Sequence, residues 1–171
     1  MKEQSNPDDL KIRLATVADM DEMMKLAMAA CAENGFVNPN PGRMAAAIWP
    51  ALNQDHGLCG VIGRQGGKIE GAVLLKIGNP WYSDDLTVEE VAIFVLPEFR
   101  SAEGGRAKKL CEFSKTVADT LALPLTIGVL SNARTAAKVR MYKRQFGEPA
   151  GAFFLYNAST ITKAAKPETE N

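Results

Sequence analysis

The chain has 171 residues, 46% of them hydrophobic and 23% charged, which suits one folded domain and excludes a disordered or fibrous chain. Lysine plus arginine equals aspartate plus glutamate at 20 each, so no global charge marks a nucleic-acid or membrane surface, although local basic clusters stay open. Three cysteines without CxxC spacing and a single histidine, His56, argue against a structural zinc site and suit a reducing compartment.

The opening residues, MKEQSNPDDL, lack the apolar core of a signal peptide, and no apolar run reaches the length of a membrane span. The expectation is a soluble cytoplasmic protein with residues 1–10 flexible. Lys11 to Ala15 reads as a short strand. Thr16 and Asp19 then offer an N-cap, and Met20, Met23, Met24, Ala27, Met28 and Cys31 form a soft apolar helix stripe. Asn34-Gly35 stops that helix. The segment FVNPNPG, residues 36–42, is a proline-broken connection. A second helix is expected from about Arg43 to Leu52, with Met44, Ile48 and Leu52 on one side and Pro50 kinking it or ending it early. It reads as a connector in preference to a lid.

Leu58 to Gly63 and Lys68 to Ile77 read as strands joined by a tight turn at Arg64-Gln65-Gly66-Gly67. Trp81 and Tyr82 follow in a loop with Asp84 and Asp85, as a sheet-end cap or a substrate platform. The most informative stretch is Leu86 to Leu121. Its run Val88 to Leu96 predicts a strand buried on both faces, ended by Pro97. Gly104 and Gly105 precede a helix whose stripe is Ala107, Leu110, Cys111, Ser114, Val117, Ala118 and Leu121. A helix start reached through glycines exposes backbone N–H groups and a positive dipole end, a suitable place for phosphate. Leu125 to Leu130 reads as a strand parallel to the central one across a right-handed crossover. Ser131-Asn132 is read as a turn and cap pair for a helix reaching about Gln145, which carries Arg134, Lys138, Arg140, Lys143 and Arg144. Ala152 to Asn157 (AFFLYN) reads as a last strand, and the polar residues 158–171 as a flexible tail beyond a single domain of residues 1–157.

The resulting α+β order, with V-x-P-x-x-R at Val95 to Arg100, the glycine-bearing helix start, the later Ser131-Asn132 and Y-x-x-x-x-G at Tyr142 to Gly147, resembles the GCN5-related N-acetyltransferase (GNAT) superfamily. The likeness spans roughly Ile12 to Tyr156. More narrowly, SNARTAAKVRMYKR, residues 131–144, is similar to small phage-encoded GNAT-like proteins, whose setting would be the host cytoplasm. The resemblance implies a mixed, mostly antiparallel sheet with a splayed parallel strand pair and helices on both faces. It implies an acyl-CoA-dependent N-acyltransferase that moves an acetyl group from acetyl-CoA, as co-substrate, to a primary amine on a small molecule or protein.

By the same resemblance the coenzyme site falls on Val95, Leu96 and Arg100, on Gly104, Gly105, Arg106 and Ala107, and on Asn132. The phosphate loop departs from the family pattern: counting from Arg100 puts Glu103 where a glycine belongs, and a carboxylate there would repel a pyrophosphate. A register two residues longer, with Ala102 in the Arg/Gln place and Gly105 and Ala107 at the small positions, also brings Leu110 onto the core stripe. Tyr142 takes the role of proton donor to the leaving thiolate, against the plainer reading of a core aromatic. Glu89 and Glu90 are two carboxylates in an otherwise apolar strand, and alternation sends them to opposite faces. Glu90 is the candidate base, with a sheet-edge salt bridge as the competing explanation, and His56 is assigned to the surface. No metal site, no membrane partner and, less favoured than a small amine, a nucleic-acid partner complete the expectations, and a homodimer is allowed. A phage-type nucleic-acid base-modifying enzyme and a non-catalytic binding protein of the same fold are the competing functions.

Overall fold

The structure, a computed structural model, describes residues 10–100, 105–132 and 134–156. Strand β1 (Leu10–Leu14) leads through a 3-10 turn into helix α1 (Met20–Asn34), and helix α2 (Pro41–Leu52) follows. Strands β2 (Gly57–Arg64), β3 (Ile69–Gly78) and β4 (Thr87–Val95) come next, then helix α3 (Arg106–Leu121), the two-residue strand β5 (Leu125–Thr126) and helix α4 (Thr135–Phe146). The strands lie in chain order in one sheet, antiparallel from β1 to β4 and parallel between β4 and β5. The expected mixed sheet with a parallel pair and helices on both faces is thus present.

Alternation along the strands fills two cores. Val61, Ala72, Leu74 and Phe94 face α1 and α2, where Met23, Leu26, Ile48 and Leu52 close one layer. Val73, Leu75, Val88 and Val95 face α3 and α4, meeting Leu110, Cys111, Val117 and Tyr142. A β-bulge organises β4: Ala92 pairs with Leu74 and Glu90 with Leu75, leaving Val91 as the extra residue. The bulge changes which residues face which layer. Val88 and Glu90 before it, and Ile93 and Val95 after it, are all buried, while Glu89, Val91 and Ala92 are exposed. Burial on both faces, expected for the whole strand, therefore holds only for Ile93 to Val95.

Other boundaries differ from the sequence reading for identifiable reasons. Helix α2 starts two residues earlier, at Pro41, because Asn40 caps it by accepting the Arg43 N–H. It continues through Pro50 to Leu52: Ala51 and Leu52 bury in the core, and both the N–H and the side-chain amide of Asn53 bond the Trp49 carbonyl. The strand expected over Leu125 to Leu130 shrinks to two residues, since its pairing stops at Val88–Leu125 and Glu89–Thr126, just before the bulge. The last strand is absent over Ala152 to Tyr156, which lie exposed without regular structure, and Asn157 falls outside the described residues. With β5 so short, no ladder edge exists there for another strand. Helix α4 begins at Thr135, later than a Ser131-Asn132 cap requires; the Thr135 hydroxyl instead donates to the Ser131 carbonyl. Among the described residues, no helix is long and apolar enough to cross a membrane.

Candidate functional site

The parallel pair separates immediately. Beyond Glu89 nothing in β5 pairs with β4, so the edge of β4 from Glu90 to Val95 faces open space. The Leu96 N–H bonds the Glu70 carbonyl of β3, and alternation turns the N–H and C=O of Val95 the other way, toward that open side. The Val95 carbonyl is taken by the Arg100 Nε at 2.6 Å.

Two cavities flank this open edge. The larger, about 620 Å³, lies between Ile93 to Val95, the start of α3 at Gly105 to Lys108, Arg134 just before α4, and the α4 residues Lys138, Arg140 and Arg144. Its walls are strongly basic. Gly105 sits just before α3 at φ +60°, a backbone that costs glycine nothing, and among the described residues beyond its chain neighbours no atom lies within 4 Å of where its side chain would begin. Gly105 to Lys108, the start of α3 with its first N–H groups, line this cavity.

The arginines divide into two kinds. Arg106 is buried and ion-paired with Glu70 of β3, its guanidinium lying 5.2 Å from the Phe99 ring centroid. Arg100 pairs with Glu33 of α1 at 2.7 Å and lies over the Phe94 ring. Both line the cavity, yet their charge is already balanced by protein carboxylates. Arg134, just before α4, and Arg140 within it are exposed and form no salt bridge among the described residues, and Arg144 bonds only the Arg140 carbonyl in its own helix. They are free to meet an anion.

The smaller cavity, about 550 Å³, adjoins the larger one at Ile93, Phe94 and Lys138. At its wall Tyr142, brought by α4, donates its hydroxyl to both Glu90 carboxylate oxygens at 2.8 and 2.9 Å. Both side chains are more than nine-tenths buried. Burial pushes the Glu90 carboxyl up to about 7, an effect that the Tyr142 hydrogen bond and the nearby Lys138 charge only partly oppose. Burial, followed by the Glu90 charge, drives the Tyr142 phenol well above its ordinary value. Glu89, one residue earlier, is exposed. Glu90 makes no salt bridge among the described residues, so the sheet-edge explanation does not apply. Lys138 lines both cavities, and its own burial lowers its affinity for a proton.

Not every residue singled out in the sequence reaches these cavities. Val95, Gly105, Arg106, Ala107 and Arg100 line the larger one. Leu96 packs against the α1–α2 core instead, and Asn132 is exposed and lines neither cavity. Gly104, Ala102 and Glu103 lie outside the described residues, so the register of the phosphate loop does too. Trp81 is 96% exposed, His56 is exposed, and neither they nor residues 36–50 line either of these two cavities. Lys138 and Glu33 are the additions. The spacing Arg134, Lys138, Met141, Gln145 marks one helix face, and its approach to β4 was the missing information.

Cys59 and Cys111 are buried with thiols pushed up to about 12, which leaves them unreactive. Among the described residues, no cluster of three His, Cys, Asp or Glu side chains could hold a metal ion.

Solved structures share this architecture. The aminoglycoside acetyltransferase AAC(6')-Iy, in complex with a bisubstrate analogue of CoA and acetylneamine, superposes with a TM-score of 0.67 at 17% identity, over 86% of this chain and 97% of its own. The fold is GNAT-like. Aminoglycoside acetyltransferase meta-AAC0020 from an uncultured soil metagenomic sample gives a TM-score of 0.64 at 17% identity, over 88% and 97% of the two chains. A predicted acetyltransferase from Clostridium acetobutylicum, bound to acetyl-CoA, gives 0.67 at 12% identity, over 88% and 97%. No protein-family model matches the sequence. No curated protein matches it either. Likeness at such identities establishes the fold alone.

Proposed function

We propose that this protein is an acyl-CoA-dependent N-acetyltransferase. The observation that carries the reading is the open edge of β4 meeting, in one cavity, the start of α3 and the uncompensated arginines of α4. A pyrophosphate fits helix N–H groups flanked by arginines, and an extended amide-bearing arm fits an unpaired strand edge. The neighbours crystallised with CoA, a CoA analogue or acetyl-CoA support the same reading. The residues present suit CoA: Arg134, Arg140 and Arg144 would meet its phosphates, and Val95 and Ile93 its arm. Acetyl-CoA, when bound, supplies the acyl group as a thioester.

The chain's own contribution is a proton path. Glu90 takes a proton from the amine as its nitrogen bonds the acyl carbon. Tyr142 Oη gives its proton to the departing sulfur and draws one from Glu90 along the hydrogen bond they share. The amine's proton thus ends on the thiol, and tyrosinate never accumulates. That matters because the phenol's proton is so tightly held. The phage-type base-modifying alternative keeps only residues 131–144 as support.

Titration calorimetry with acetyl-CoA, together with a thiol assay for CoA release across an amine panel, tests the proposal. Micromolar binding and amine-dependent release are expected. Absence of binding, or retardation of duplex DNA that persists at high salt, would overturn it.

A further inference from the structure

The chemistry of the smaller cavity says what kind of amine enters it. Its charged groups are Glu89 at the exposed rim, Glu90 buried at the wall, and Lys138 where it joins the larger cavity. The rest is largely apolar. Ala30 of α1, Val91, Ala92 and Phe94 of β4, and Leu130, Phe153 and Phe154 line the cavity. The absent last strand contributes to this shape. Instead of pairing with a neighbour, the segment after α4 lays the Phe153 ring on Gly128, where an added Cβ would come within 2.8 Å of the ring. Two largely exposed aromatic rings, Phe153 and Phe154, therefore border the cavity.

We propose that the acceptor is a primary amine carried on an apolar body, an arylalkylamine or alkylamine, with its amino group at Glu90 and its body between Val91, Leu130 and Phe153. This rests on the acetyltransferase reading above and narrows it. A polycationic acceptor would bring several charges to a cavity with two carboxylates, one of them already engaged by Tyr142, and a lysine. Further ammonium groups would be repelled by Lys138, whereas one amino group finds Glu90 and its apolar body finds the half-exposed apolar surface of Val91 and Leu130 and the exposed Phe153 ring. The two named aminoglycoside enzymes share the fold but not, on this reading, the acceptor.

The test compares 2-phenylethylamine and hexylamine with spermidine and kanamycin as acceptors for the full-length protein and acetyl-CoA, reading CoA release, with calorimetry for acetyl-CoA in parallel. The monoamines are expected to give kcat/KM at least about tenfold above the polyamines. Leu130→Asp, which adds a carboxylate to the wall without touching Glu90 or Tyr142, should reverse the order by raising spermidine and lowering phenylethylamine. Equal or better turnover of spermidine or kanamycin by the wild type overturns the acceptor class. So does acetyl-CoA binding with no turnover of either monoamine, which leaves the coenzyme reading standing. Failure to bind acetyl-CoA at all overturns both.

Discussion

Tyr142 and Glu90 are 52 positions apart, and their meeting is the feature on which catalysis is expected to turn. Tyr142→Phe removes one hydroxyl from a packed ring and should lower kcat by about 10²–10⁴, the range of a lost general acid, with KM little changed. A tyrosine serving only the core would instead cost about 1 kcal/mol of stability and leave kcat alone. Steady-state kinetics beside urea unfolding separates the two. Glu90 makes a second prediction through pH. Its carboxyl is held near 7 when folded, against an ordinary value of 4.5, so between those values the native chain binds more protons than the unfolded one. Stability from this group is full below about 4.5 and is lost as pH rises through about 7. Activity is expected to run the other way, since Glu90 in its proposed role as base must be ionised. Glu90→Gln should flatten the fall in urea midpoint between pH 5 and pH 8 while abolishing the rise in rate. Each residue was legible separately, Tyr142 from its motif and Glu90 as a carboxylate misplaced in an apolar strand. The bulge at Val91 that sets Glu90's face was not, because no residue type announces it.

At the scale of elements, α3 and α4 use arginine for different ends. Arg106 ties the first turn of α3 to β3 through a buried Glu70, so Arg106→Ala should leave that carboxylate unpaired and cost about 3–5 kcal/mol in thermal or urea unfolding. Arg140→Ala with Arg144→Ala on the exposed face of α4 should leave stability nearly unchanged and weaken acetyl-CoA by about tenfold or more in calorimetry. Gly105→Asp should also weaken acetyl-CoA, because it sets a negative charge at the start of α3, and at φ +60° it should cost about 1 kcal/mol in urea unfolding as well. The sequence did not distinguish Arg106 from the arginines of α4, since its partner lies 36 positions away on β3. Most elements were legible from periodicity and glycine or proline boundaries. Residues 152–156 were not: FFLY has the composition of a strand, but a strand also needs a neighbour, and β5 ends at Thr126.

Across the whole molecule, α4 is joined to the rest chiefly through α3 and through Tyr142, while β4 and β5 share only two residue pairs. A ligand lying between α3, α4 and the edge of β4 should tighten this half most. Acetyl-CoA at 100 times its Kd is expected to add about 2.7 kcal/mol to stability. Hydrogen exchange should slow most in 125–130 and α4 and least in β2 and β3, whose amides are paired in any case. Uniform slowing across the sheet would place the ligand elsewhere.

The two-residue seam between β4 and β5 also bears on the order in which the chain reaches its native state. Strands β2, β3 and β4 pair through short connections, whereas the parallel seam must wait until α3 has crossed the sheet. Leu125→Ala should therefore speed unfolding and scarcely change refolding. On that order Glu90 is expected to be in place early and Tyr142 to arrive later, with α4. In stopped-flow refolding, recovery of turnover is expected to lag behind recovery of the β-sheet signal.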